Sequence, residues 1–366
     1  MKKHYTKSKY KKYNKRRARK SLRRRLEFRD YKRKKNRAEQ GVDEENRKKN
    51  AAYKTRYPGY KFIFPPSNLS LIKNPDRVID FIDEIKNCYE RDQKVFVRME
   101  DVEEIEYDAI VLMLSILIRF KSKGIKFNGN YPLNREADRI LRESGFIKNL
   151  FRSFQDSDRY QILEDRTNSI HTHAWKNVDS DLSADLIEKA SETVWGTKKR
   201  CQGVQRALIE LMQNTNNHAA VDAEGEKHWW LSVNHVKREN KVTFSFVDYG
   251  VGVFESLGKK PKGNKFYGAI SKMISAFNLT GNPHLLELIL RGDLHKTVTG
   301  KHYRGKGLPG INDALKRGSF SNLFIISNNV FADVSNNDFK QLKTNFSGTF
   351  VYWELLPENL NYNAAA

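Results

Sequence analysis

The sequence is poor in cysteine and has no long apolar run, and each shortage removes a class of protein. Its two cysteines, Cys88 and Cys201, stand far apart in 366 residues and form no CxxC or CxxH spacing. Neither a disulfide framework nor a structural zinc site is expected from them, and a reducing, cytoplasmic location fits. The longest apolar stretch, close to Ala109 to Ile118, holds Ser115 within it and stops at Arg119. It falls short of the ~20 residues that cross a hydrocarbon core, so no membrane span is expected. The basic start is followed by no apolar h-region and small-residue cleavage site, so no secretory signal is expected.

Acidic residues are scarce at one end only. The chain carries 67 Lys or Arg against 44 Asp or Glu, a formal charge of +23. Residues 1–50 hold 23 of those bases and 6 of those acids, a net of +17, so the remainder is only mildly basic. At about 150 residues per domain the length suggests two domains with an extension. The run from Lys2 to Arg37 is too charged to bury a core of its own. Tyr5, Tyr10, Tyr13, Phe28 and Tyr31 are interleaved with the charge. Aromatic rings stack on unpaired bases while Lys and Arg neutralise phosphates, which suits nucleic-acid binding by residues 1–50. A solubilising tail, or an arm that docks on an acidic protein or lipid surface, fits the same charge.

From Tyr60 onward, short apolar runs (KFIFPP, KVFVRM, IKFNGN) alternate with helical patterns such as Pro75 to Cys88 and Ala109 to Lys121, which argues for a small α/β unit. Asn74-Pro75 opens the first helix, with Val78, Phe81, Ile82 and Ile85 on one face, and the last helix runs from near Asn134 to near Gly145. This order, with VFVRMEDVEEIEYDAIVLML at its centre, resembles the STAS fold of anti-sigma-factor antagonists over residues 58–152. That likeness implies a protein partner or self-association through this segment. In that family the turn before the central helix carries a serine that a partner kinase phosphorylates. Here Asp108, in Ile105-Glu106-Tyr107-Asp108-Ala109, stands in its place. Two readings fit: a carboxylate favoured by the helix dipole, or a fixed mimic of the phosphorylated state. Either leaves no serine to regulate at this turn. Residues 153–180 read as a polar linker. Its His171 and His173 have the spacing to share a metal on a strand, but no Cys or acidic partner nearby completes a site, which favours a linking or packing role.

The last half of the chain holds four separated motifs. In the helical run RALIELMQNTNNHA, Leu208, Leu211 and Met212 supply an apolar face, and Glu210, Asn214 and His218 recur every four residues on the opposite one. A carboxylate, an amide and an imidazole in that array suit the floor of a metal-bound polyphosphate site, and equally a surface stripe. In KVTFSFVDYGVGV an alternating strand (Val242, Phe244, Phe246) runs into Asp248-Tyr249-Gly250-Val251-Gly252-Val253. An aspartate at a strand end can accept from an exocyclic amine, and the glycines admit close approach of a ligand. HYRGKGLPGI leads Gly305, Gly307 and Gly310 into a helix expected from near Gly310 or Ile311, with Lys301, Arg304 and Lys306 adding positive charge suited to phosphate. It is neither a Walker A loop nor a Rossmann fingerprint. FSGTFVYWEL closes the series as a strand led by Gly348-Thr349.

In this order the four motifs resemble the N, G1, G2 and G3 boxes of the GHKL superfamily, the ATP-binding fold of gyrase, heat-shock chaperone ATPases, histidine kinases and mismatch-repair ATPases. The likeness covers residues 181–357. It implies a Bergerat-type α/β sandwich, with a mixed sheet on one side, helices on the other and adenine between them. By that resemblance Asn214 coordinates Mg²⁺ on the phosphates of ATP, with His218 beside it. Asp248 reads the adenine amino group, with Thr349 near the base through a water. Gly250, Gly252 and Val253 floor the nucleotide site, and Gly305, Lys306, Gly307 and Leu308 hinge a lid. That lid runs from Val253 to Arg304 and includes a helix over Asn282–Arg291.

Glu210 separates the subclasses. A carboxylate at the head of the N box acts as general base toward water or a serine hydroxyl. Histidine kinases usually have another residue there and often Lys where this chain has Asn217, and no phosphoacceptor helix pair surrounds His4, His171 or His173. ELMQNTNNHA looks most like the box of anti-sigma serine kinases, whose partner is a STAS protein. The expectation is an α/β protein with a basic arm (1–57), a STAS-like domain (58–152), a linker (153–180), a GHKL domain (181–357) and a tail (358–366). Its expected function is that of a slow, Mg-dependent ATPase acting as a nucleotide-driven switch that binds nucleic acid. The alternatives are a serine kinase acting on a separate partner and a nucleotide-binding scaffold without turnover.

Overall fold

The computed structural model describes residues 52–151, 169–174, 180–218, 229–254, 282–293 and 307–360, with the isolated positions 17 and 20; the side chains of residue 151, of 169–174 and of 216–218 are outside this set. The chain divides into two compact units, Met1–Tyr60 and Lys61–Ala366. In the first, a short helix over 52–56 leads to Tyr57, whose ring lies 5.6 Å from the Arg56 guanidinium. Positions 17 and 20 apart, the remainder of the expected nucleic-acid arm lies outside the described residues.

The second unit is α/β. Its N-terminal half builds a parallel three-stranded sheet from β1 (Lys61–Ile63), β3 (Val95–Val97) and β5 (Phe127–Gly129), in the order β1-β3-β5. A second parallel pair joins β2 (Asn68–Leu69) to β4 (Glu104–Ile105). Parallel neighbours need crossovers, and helices supply them: α1 (Pro75–Glu90) between β2 and β3, and α2 (Tyr107–Ser122) between β4 and β5. α3 (Arg135–Glu143) and α4 (Phe146–Phe151) follow. Asn134 caps α3 by accepting from the amides of Glu136 and Ala137. Asn74 precedes Pro75 at the start of α1 but caps nothing with its side chain, which donates instead to the carbonyl of Asn68 at 3.0 Å. Val78, Phe81, Ile82 and Ile85 form the buried face of α1, as their spacing requires. α2 is different, because every residue from Asp108 to Leu117 is buried. A helix apolar all round must be covered all round.

Its second cover is the C-terminal half. There β6 (Ser169–Ala174), β7 (Trp229–Val236), β8 (Lys241–Asp248), β9 (Ser321–Asp333) and β10 (Asp338–Leu355) form one sheet in the order β6-β7-β8-β10-β9. Every ladder in it is antiparallel, where the resemblance implied a mixed sheet. Tight connections join β7 to β8 and β9 to β10, and such hairpins impose antiparallel pairing. The stretch expected as a linker contributes β6, an edge strand made by pairing with β7.

Alternate residues send the two faces of this sheet to different cores. Trp229, Leu231, Phe244, Phe246, Ile325, Val351 and Trp353 pack against α5 (Ser180–Trp195), α6 (Gln202–His218), α7 (Asn282–Arg291) and α8 (Gly307–Lys316). Their sequence neighbours Trp230, Val247, Ile326 and Phe350 join Phe346 in one continuous core with α1, α2 and the parallel strands. Each fully buried large side chain in these cores contributes about 1.5–3 kcal/mol. The carboxylate of Asp76 on α1 fastens the two halves further, its Oδ1 accepting from the amides of Lys343 at 2.8 Å and Thr344 at 3.1 Å. β10 is bulged on either side of Phe346, so its register shifts there. Among the described residues no helix is long and apolar enough to cross a membrane, and Cys88 and Cys201 are both buried and free.

Candidate functional site

Helix α6 carries the first motif with the amphipathicity its spacing requires. Leu208, Leu211 and Met212 are buried in the core under the sheet, while Glu210 and Asn214 on the other side are half-buried. Arg206, one turn before Glu210, places its Nε 3.9 Å from the Glu210 carboxylate. His218 ends the helix, and its side chain lies outside the described residues.

The third motif meets the first. α8 begins at Gly307, earlier than the expected Gly310 or Ile311. Pro309 is tolerated in that first turn because amides there have no intrahelical acceptor. A β-carbon on Gly307 would lie 2.8 Å from Asn214 Nδ2 and 3.2 Å from its Oδ1, so a side chain here would push the amide aside. Leu308 is buried beneath. The Arg206 guanidinium also reaches α8, 3.8 Å from where a β-carbon on Gly310 would stand. Lys301, Arg304, Gly305 and Lys306 lie outside the described residues, as does the lid apart from Val253–Phe254 and residues 282–293, where the expected helix over Asn282–Arg291 is α7.

The second and fourth motifs form another cluster at the end of β8. Asp248 pairs in register with Trp229 on one side and Thr349 on the other. Its Oδ1 accepts from the amide of Gly250 at 2.8 Å, and the Thr349 hydroxyl also donates to it. Desolvation outweighs these two bonds and holds its pKa up to about 6. The loop that follows is clamped from β9. Asn328 donates to the carbonyl of Val251 at 3.0 Å and accepts from the amide of Phe254 at 3.3 Å. Ser327 Oγ accepts from the amide of Val253 at 2.9 Å, donates to the carbonyl of Gly348 at 3.0 Å and lies 3.3 Å from Thr349 Oγ1. Gly252 has φ +78°, and a β-carbon there would come within 2.3 Å of Asn328 Oδ1. Gly348, at φ +130°, lets β10 close on the Asp248 carbonyl, which a β-carbon would meet at 2.0 Å.

Thus the structure brings Asn214 to Gly307, and Asp248 to Gly250, Gly252, Val253 and Thr349. Ser327 and Asn328 were missed from sequence. The available signal was a polar Ser-Asn-Asn within an otherwise apolar strand, made distinctive by the left-handed Asn328 at φ +50°.

Asp108 stands in the first turn of α2, where the helix dipole favours a carboxylate, and its Oδ1 accepts from the amide of Ala109 at 2.6 Å; it is not displayed as a phosphate mimic would be, since it is only 2% exposed. Its Oδ2 accepts from Ser70 Oγ and from the amide of Ile72, both at 3.0 Å, tying the β2–α1 loop to α2, and burial pushes its pKa up to about 6. His171 and His173 belong to edge strand β6, and their side chains lie outside the described residues. A cleft of about 890 Å³, walled by Asp108, Lys73, Arg139, Lys241, Phe324 and Tyr352 among others, includes none of the candidate nucleotide residues.

Among the described residues no group of three or more His, Cys, Asp or Glu is placed to hold a metal. Magnesium carried on phosphates needs only one or two protein oxygens, and Asn214 Oδ1, on α6 beside the first residue of α8, is such a donor. The residues present fit a phosphate-borne ion. No protein-family model matches the chain, and no curated protein matches it, so these side chains and the sheet that positions them carry the functional reading alone.

Proposed function

We propose that residues 181–357 are a GHKL-type domain that binds Mg²⁺–ATP and hydrolyses it slowly, the nucleotide state acting as a conformational switch, with the basic arm binding nucleic acid. One observation carries this reading: two motifs far apart in the chain converge, so that Asn214 sits where Gly307 lacks a side chain. Each residue then has a task. Asp248 accepts a hydrogen bond from the adenine amino group, and Thr349 orients its carboxylate. Asn214 offers its amide oxygen to the metal, and the first amides of α8 face the phosphates. Glu210, steadied by Arg206, positions a water and takes its proton. Magnesium, when bound, neutralises charge on the phosphate oxygens.

The test follows γ-labelled ATP with Mg²⁺ in the intact protein and in Glu210→Gln, separating free phosphate from protein-bound label. Free phosphate from the wild type, reduced at least about 100-fold in the variant, is expected of a hydrolase with Glu210 as base. Label on protein or on an added partner would replace this reading with a serine kinase. Tight ATP binding with neither product would leave a scaffold.

A further inference from the structure

We propose that Tyr249 couples the candidate nucleotide site to helix α2, so that a ligand beside Asp248 is registered on the far side of the sheet; this rests on the nucleotide reading above. Consecutive residues at a strand end point to opposite faces. Asp248 faces Thr349 and Gly250. Tyr249, the next residue, packs into the core that the sheet shares with the N-terminal half. Its hydroxyl is 2.6 Å from Ser115 Oγ and 3.5 Å from the Leu112 carbonyl, both on α2. Ser115 is fully buried and donates to the same carbonyl at 2.7 Å.

The ring is held as firmly as the hydroxyl. Lys86 on α1 places its ammonium 4.6 Å from the Tyr249 centroid and 5.5 Å from that of Phe346, with Asp83 Oδ1 at 3.7 Å. Burial lowers the Lys86 pKa, so the π face and Asp83 offset only part of the cost of taking this charge out of water. Displacing the ring would disturb that compensation and the bond to Ser115 at once.

Occupancy has a direct route to this ring. Asp248 spends one oxygen on the amide of Gly250, within the same turn as Tyr249. A base amine donating to the carboxylate draws on the same negative charge as that amide and so shifts the balance of the turn. Asn328 clamps the far end of the loop at Val251 and Phe254, so an adjustment is taken up near Tyr249. Coupling of this kind is reciprocal: what steadies Tyr249 against α2 alters nucleotide affinity by the same factor.

The experiment is hydrogen exchange read by mass spectrometry on the full chain, with and without Mg²⁺ and a non-hydrolysable ATP analogue. The wild type is compared with Tyr249→Phe and Ser115→Ala. In the wild type the analogue should slow exchange in α6 and β8, and in α2 by at least about fivefold. In both variants the slowing in α6 and β8 should persist while that in α2 is lost, a difference that mere destabilisation would not produce. Ser115→Ala leaves the aromatic packing intact and keeps the test decisive if Tyr249→Phe fails to fold. An α2 response equal to wild type in the variants overturns the coupling. So does a wild type in which α6 and β8 respond and α2 does not. Absence of any response overturns the nucleotide reading and the coupling with it.

Discussion

Asp108 shows how far the surroundings of a side chain decide its role. On the sequence it is an acid in the first turn of a helix; in the fold it keeps that place and is also a buried tie between Ser70, Ile72 and α2. Its pKa is raised from 3.8 to about 6, chiefly by desolvation, so the folded protein binds this proton more tightly than the unfolded chain does. The stability it contributes is therefore fully present below about pH 3.8 and is lost as pH rises through about 6. Asp108→Asn cannot titrate. Its unfolding free energy relative to wild type, from urea titration, should shift in favour of the variant between pH 4 and pH 7, by on the order of 1–3 kcal/mol. A difference that stays constant with pH would refute this account. Asp248 titrates over the same window in both proteins and cancels from the comparison. Asp248, Thr349, Asn214 and Gly307 were legible as motif members. Ser327 and Asn328 were not, because what they hold lies more than seventy positions earlier in the chain and only folding brings it near.

At the scale of elements, local signals read well and long-range ones poorly. The proline that opens α1, the Asn134 cap of α3 and the extent of α7 follow from short-range chemistry that the sequence displays. Strand β6 does not, since its six residues are a strand only because β7 lies alongside. The early start of α8 was hidden by Pro309, which reads as a boundary but sits inside the first turn. α2 has the most consequence of these elements, because it has no solvent face from Asp108 to Leu117. Residues 169–360 alone would bare Trp230, Val247, Ile326, Phe346 and Phe350, which are otherwise buried beside α1 and α2. That fragment should self-associate in size-exclusion chromatography with light scattering, whereas a chain beginning at residue 58 should elute as a single species. A monodisperse fragment 169–360 would contradict the shared core.

For the whole molecule, charge and fold are distributed separately. The excess of bases lies in residues 1–50, and the three sheets of the described residues lie after residue 60. Deleting residues 1–50 should therefore abolish salt-sensitive binding of single-stranded RNA or DNA, measured by fluorescence anisotropy across a salt series, and leave the thermal transition of the remainder in place. Binding that survives the deletion with the same salt slope would assign the function elsewhere.

The shared core also sets an order of events during synthesis. α2 leaves the ribosome well before β7 and β8, the strands that cover its second side. At about 5–20 residues per second the wait is on the order of ten seconds, with the face of α2 that carries Ser115 still lacking its native cover. The nascent N-terminal half thus exposes apolar surface until the C-terminal sheet arrives, and a ribosome stalled between the halves would present a sticky intermediate.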